Sequence, residues 1–166
     1  LFEKQRRQLG YDVLWSFDED VSFAGDGPRL KEGQVTELFD RVFDGLSPES
    51  RVFYGDLRRC RFYDLEDRPG KIRGAYSNYL PVYGMPFVFE TFDRSPGAVK
   101  TFAHECGHGI HSYLTRGEPF LDGGSATADI SEIHSMAMEF FIWPHLDALY
   151  SPEDVENYKF LHMKNA

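Results

Sequence analysis

Three histidines and a glutamate stand together in His104-Glu105-x-x-His108-x-x-His111. On an α-helix, side chains four residues apart share a face, so His104 and His108 can close on one divalent ion. At about 100° per residue, the three histidines fall within about 60° of one another. Glu105 sits beside that face, placed for a water next to the ion rather than for the ion itself. Two imidazoles and an adjoining carboxylate base are the parts of metal-assisted hydrolysis, with Zn²⁺ the expected ion.

The chemistry needs a helix, and the flanking residues predict one. Ser95-Pro96 reads as its start, because Ser caps free N–H groups and Pro has no N–H to lose at the first position. Gly117 and Pro119 read as its stop. Val99, Phe102, Ala103, Cys106, Ile110, Tyr113 and Leu114 recur at helical spacing, nearly opposite the histidines. The helix should therefore bury one face and turn the histidines into a cleft.

A third ligand is required. In the longer pattern H-E-x-x-H-x-x-G-x-x-H it would be a third His, but His111 stands at the Gly position and Leu114 at the His position. The alternative is a Glu on a following helix. Asp122-Gly123-Gly124-Ser125 reads as a loop and N-cap, and Ala126 to about Trp143 as a helix ending near Pro144. On its wheel Asp129, Glu132 and Glu139 lie within about 80°, while Ile130, Ile133, Ala137, Phe140 and Phe141 take another sector. Aligned carboxylates on an apolar helix are costly unless paired or metal-bound. If the two helices are antiparallel, Glu132 lies level with His108, since each is roughly 10–12 Å from the joining loop. Glu132 is thus the expected ligand, and Asp129 and Glu139 are expected to orient a ligand His. His134 lies about 160° from Glu132 and reads as a structural residue with its hydrogen bonds satisfied.

The rest of the chain must position these parts. Val35, Leu38, Phe39, Val42 and Phe43 predict a helix over 31–44 with Gly45 as its stop. Ser47-Pro48 predicts a second, running towards Cys60, and Ser151-Pro152 a last one. Breakers at Pro69, Gly70, Gly74, Pro81, Gly84 and Pro86 leave two short strands, Ala75–Leu80 and Phe87–Phe92, as a hairpin. The expected fold is mainly α with a small antiparallel sheet.

Composition bounds the partners. With 18 Lys+Arg against 27 Asp+Glu, the net charge of −9 disfavours nucleic acid and anionic membranes. No apolar run is long enough to span a bilayer, and no signal peptide is visible. Cys60 and Cys106 read as free thiols in a reducing, cytoplasmic setting. Arg58, Arg59 and Arg61 alternate with acids and read as a salt-bridged surface.

The segments His104-Glu-Cys-Gly-His-Gly-Ile-His-Ser-Tyr113 and Ile130-Ser-Glu-Ile-His-Ser-Met-Ala-Met-Glu-Phe-Phe141 resemble the oligoendopeptidase F and thimet oligopeptidase family of zinc metallopeptidases. Tyr63-Asp-Leu-Glu-Asp-Arg-Pro-Gly-Lys-Ile-Arg-Gly-Ala-Tyr76 and Pro86-Phe-Val-Phe89 also match its pattern, over about residues 50–165. The resemblance implies one zinc on His104, His108 and Glu132, Glu105 as base, and cleavage of short peptides. It also implies an extended substrate along Gly74, Ala75 and Tyr76, although Tyr76 reads equally as a core or rim aromatic. His111 could touch substrate. The family's further His and Tyr groups lie beyond Ala166, and His145 and His162 qualify by residue type only. Beginning at Leu1, residues 1–166 read as one catalytic region of a longer, mostly helical peptidase. A non-catalytic zinc or peptide-binding module and another hydrolase, such as an aminopeptidase, stay open.

Overall fold

A computed structural model describes residues 2–18, 21, 27–31, 33–118 and 127–165. Among the described residues there are six α-helices and a small sheet: α1 (Phe2–Leu9), α2 (Gln34–Leu46), α3 (Pro48–Arg59), α4 (Pro96–Leu114), α5 (Ala128–Phe141) and α6 (Pro152–Asn165). The strands are β1 (Tyr63–Asp64), β2 (Ala75–Leu80) and β3 (Met85–Glu90), and a 3₁₀ turn over Trp143–Ala148 joins α5 to α6. All three Ser-Pro pairs begin helices. Ser47 Oγ accepts from Ser50 N, Ser95 Oγ from Ala98 N and Ser151 Oγ from Asp154 N, at 3.1, 3.1 and 3.2 Å. The expected loop and N-cap at 122–125 lie outside the described residues; Thr127 precedes the first turn of α5.

The sheet is mixed rather than purely antiparallel. β2 and β3 form the expected hairpin, from Ala75↔Glu90 to Leu80↔Met85, so the second strand begins two residues before Phe87. β1 adds itself in parallel on the far side of β3, with Tyr63 opposite Val88, giving the order β1-β3-β2. Arg61, at φ 55°, reverses the chain after α3 and sends it alongside β3. Two residues are too few to carry an alternation, which is why no pattern announced this strand. The Lys71 ammonium, almost fully buried, then ties β1 to β3. It donates to Asp64 O and Oδ1, Glu66 O and Glu90 O at 2.7–2.9 Å.

α4 is the central element, with β2 and β3 on one side and α5 on the other. Its buried stripe is Val99, Phe102, Ala103, Cys106 and Tyr113; Leu114, its last residue, is exposed. Phe102 meets Phe39 edge to face at 4.7 Å, and Phe43 stacks on Tyr54 at 4.6 Å, so α2 and α3 join the same core. Each such ring contributes about 1.5–3 kcal/mol by leaving water. Two glycines permit the close approaches. A Cβ on Gly107 would stand 2.6 Å from Ser135 Cα of α5, and one on Gly109 would meet the Phe53 ring at 3.1 Å.

α5 is not an ordinary amphipathic helix, because it buries two polar residues beside Met138. Ser135 and Glu139 are buried, while Ile130, Ile133 and Phe141 are 51, 64 and 48 % exposed. Its polar side faces α4 because the candidate ligands are there. Among the described residues, no helix is long and apolar enough to cross a membrane. Cys60 is exposed, Cys106 is buried, and both are free thiols. Arg58 and Arg59 pair with Asp40 and Asp56 on the surface.

Candidate active site

α4 and α5 bring His104, His108 and Glu132 to one point. His104 Nε2 lies 3.2 Å from both His108 Nε2 and Glu132 Oε2, and His108 Nε2 lies 3.7 Å from Glu132 Oε2. Among the described residues these three form a group able to hold a metal ion. A tetrahedral Zn²⁺ with bonds of roughly 2.0–2.1 Å needs ligand atoms about 3.3 Å apart, so the donor set fits that ion in type and spacing. The two rings cross at 80°, so each aims a nitrogen at the shared point rather than stacking. Ser135, buried one turn after Glu132, donates its hydroxyl hydrogen to Glu132 Oε2 at 2.8 Å and fixes that carboxylate.

Glu139 reaches His104 from behind. Its Oε1 accepts from His104 Nδ1 at 2.7 Å, which leaves the His104 Nε2 lone pair for an ion. The Glu139 hydrogen bond raises the His104 pKa above its ordinary value, with Glu105 and Glu132 adding to it. Burial lowers that of His108, and the neighbouring His104 lowers it further. Burial pushes Glu139 up, yet its hydrogen bond with His104 and the charge of Lys100 hold it below the usual carboxylate range.

Glu105 is mostly buried, yet its side chain lines a cavity of about 470 Å³ together with Ala75, Lys100, His104, Glu132 and Glu139. Burial raises its pKa, Glu132 adds to the rise, and His104 opposes it. Such a carboxylate is a better base than an exposed one.

The other expected site residues divide. Ala75 lines the cavity. Tyr76 is partly exposed and stacks on Phe89 at 4.8 Å, so it is a rim aromatic resting on the sheet. Gly74, at φ 126°, accepts from Thr91 N through its carbonyl just before β2 begins. β2 is an edge strand, paired with β3 alone among the described residues. Asp129 does not join the site. It is exposed in the first turn of α5, where it complements the helix dipole. His111 is off the cavity and stacks on His134 at 4.1 Å. His134 is not satisfied by hydrogen bonds, since its buried Nε2 has no partner; ring stacking holds it instead.

Sequence reasoning missed Ser135, Gly107 and His162. Gly107 left a signal, because a glycine inside a helix is costly unless another backbone must come close. His162 left none beyond its residue type, since its contact with Glu139 is made across a separate helix.

Comparison with known proteins agrees with this geometry. Residues 43–164 match Peptidase family M3. Oligopeptidase PepF of Bacillus subtilis (strain 168) is 28 % identical over 114 residues, which cover 66 % of this chain and 17 % of PepF. The solved structure of PZ peptidase A with inhibitor 2 superposes with a TM-score of 0.85 at 32 % identity, over 98 % of this chain and 29 % of that one. A Bacillus anthracis str. Ames protein assigned as an oligoendopeptidase F gives 0.86 at 28 % identity, over 98 % and 30 %. The chain thus spans under a third of the length of these relatives. With the M3 match running from α2 to α6 and taking in both helices of the ligand cluster, the chain belongs to peptidase family M3.

Proposed function

We propose that this chain is the catalytic region of a zinc-dependent metalloendopeptidase that hydrolyses internal bonds of short peptides. His104, His108 and Glu132 hold the zinc, and Glu105 is the general base. The observation that carries this reading is the convergence of three ligand atoms, 3.2–3.7 Å apart, on a cavity that Glu105 also lines.

Bound Zn²⁺ supplies Lewis acidity, which makes water a nucleophile at neutral pH and polarises an amide carbonyl. Glu105, with its raised pKa, takes a proton from the attacking water and returns it to the departing amine. No side chain bonds to the substrate, so the reaction needs no covalent intermediate. The edge of β2 that is unpaired among the described residues, at Ala75 and Tyr76 with Gly74 just before them, receives an extended peptide by strand addition, through backbone groups that any sequence possesses. Cleavage of varied short peptides follows from that mode of binding. The exposed thiol of Cys60 suits a reducing, cytoplasmic setting. The remainder of a longer, mostly helical peptidase completes the cleft; neither nucleic acid nor membrane is a partner.

The test pairs metal analysis with cleavage of a quenched fluorescent peptide by the full-length protein. Glu105→Gln keeps about one zinc per chain and loses about 10²–10⁴-fold in kcat. Normal turnover by that variant would remove Glu105 as the base. Undiminished cleavage after zinc is stripped by a chelator would remove the metal from the mechanism.

A further inference from the structure

The oxygen of Glu139 that does not face His104 is also engaged. His162 Nε2 lies 2.7 Å from Glu139 Oε2, at an angle bent away from the ring N–H, and Lys100 Nζ lies 3.6 Å from the same oxygen. His162 belongs to α6 and is 3 % exposed. Its ring is stacked on Phe140 at 4.5 Å, and its Nδ1 accepts from Trp143 Nε1 at 2.9 Å.

The outer end of this chain of contacts has a direction. An indole nitrogen can only donate a hydrogen bond. His162 Nδ1 must therefore be an acceptor, and the single hydrogen of the neutral ring sits on Nε2, facing Glu139. The opposite tautomer would set two N–H groups against each other at Trp143, as would the doubly protonated ring. Glu139 then accepts a hydrogen bond on Oε1, while its Oε2 lies against the N–H edge of His162 in a close but bent contact. Held in place, it takes the His104 Nδ1 hydrogen at 2.7 Å and leaves the His104 Nε2 lone pair pointing at His108 and Glu132.

We propose that Trp143 and His162 are positioning residues for the metal centre. They form the outer end of a relay, Trp143–His162–Glu139–His104, that fixes which nitrogen of His104 carries its hydrogen and keeps the other free for the ion. The relay ties α6 and the 3₁₀ turn, neither of which touches the cavity, to the binding of the metal. It rests on the reading of His104 as a zinc ligand through Nε2.

The experiment uses the full-length protein, with two readings. One is zinc affinity by competition with a chelator. The other is the imidazole ¹⁵N spectrum of the zinc-free chain, which reports the His104 tautomer without any metal. His162→Phe keeps a flat ring against Phe140 and removes both polar atoms. It weakens zinc binding about tenfold, the scale of losing a group that orients a ligand, and lets His104 populate both tautomers. Trp143→Phe removes one hydrogen-bond donor and weakens binding about threefold in the same direction. His162→Gln, which can accept from Trp143 and donate to Glu139, recovers most of the loss. Leu146→Ala, a buried apolar truncation outside the relay, lowers stability and leaves both readings at the parent value.

The proposal is overturned if His162→Phe and Trp143→Phe both bind zinc within twofold of the parent with His104 still in one tautomer. It is equally overturned if Leu146→Ala lowers zinc affinity as much as His162→Phe does. Should His162→Phe fail to fold, Trp143→Phe decides by the same two readings. Should the parent chain bind no zinc, the zinc reading of the site fails, and the tautomer of His104 alone decides the relay.

Discussion

Gly107→Ala adds one methyl group to the helix that carries His104 and His108. The new Cβ would stand 2.6 Å from Ser135 Cα, 2.7 Å from His134 O and 3.0 Å from His134 C. These are backbone atoms of α5, so no side-chain rotation relieves them. A forced shift ends only at 3.0 Å and ordinary contact begins at 3.4 Å, so α4 and α5 must part by about 0.4–0.8 Å. Glu132 lies one turn before Ser135 and moves with it. A zinc site tolerates about 0.2 Å in its ligand distances, so Glu132 Oε2 leaves the set that now stands 3.2 and 3.7 Å from the two histidines. Overpacking of this kind costs about 1–3 kcal/mol, offset by about 1 kcal/mol of gained helix propensity. The larger effect falls on function. Zinc affinity drops at least about tenfold, and kcat/KM drops about 10²-fold, the scale of a 1 Å misplacement. The assays are chelator competition for zinc and peptide cleavage by the full-length protein. Gly55→Ala is the comparison, because a Cβ there meets nothing within 4 Å in the middle of α3. It gains about 0.4–1 kcal/mol and changes neither zinc affinity nor turnover. If Gly107→Ala bound zinc within twofold of the parent and matched Gly55→Ala in stability, the close helix approach would not be what sets the ligand geometry.

Two further predictions concern the scaffold. Glu90, 4 % exposed, has a carboxyl pushed up to about 9 by burial first and by Glu105 and Asp93 next, against the pull of Lys71. The folded chain then keeps a proton that the unfolded chain has released, so stability is greatest below pH 4.5 and falls as pH rises towards 9. By pH 7 the loss is about 3 kcal/mol, at about 1.36 kcal/mol per pH unit. Glu90→Gln removes this dependence, and urea unfolding at pH 5 and pH 8 should show its advantage growing with pH; a constant difference would place the Glu90 proton elsewhere. Phe102→Ala, which empties the contact with Phe39 at the centre of the core, costs about 3–5 kcal/mol by the same measurement, and a loss under 1 kcal/mol would mean that the core closes over the gap.

The parts that could be read in advance are those in which the chain's own spacing decides the geometry. Four residues fix His104 beside His108 on any helix. Ser-Pro marks a helix start wherever it falls, and counting residues along two antiparallel helices sets Glu132 level with His108. The parts that could not be read depend on partners far along the chain. β1 exists because β3 offers it a parallel edge, not because Tyr63-Asp64 has a pattern of its own. Asp129 and Glu139 occupy the same sector of the α5 wheel, but only Glu139 meets α4 where His104 presents Nδ1. His162 sits 23 positions beyond Glu139 in sequence and 2.7 Å from it in space. α5 shows why hydrophobic periodicity fails at such a place. The periodicity locates a core by its apolar face, yet this helix buries Ser135 and Glu139 and exposes Ile130 and Ile133. A buried carboxylate and hydroxyl are tolerated here because each has a partner: Glu139 has His104, and Ser135 has Glu132. The contacts of Ser135 and Glu139 with the ligand cluster thus decide which side of α5 is inside, and Ile130 and Ile133 are left exposed.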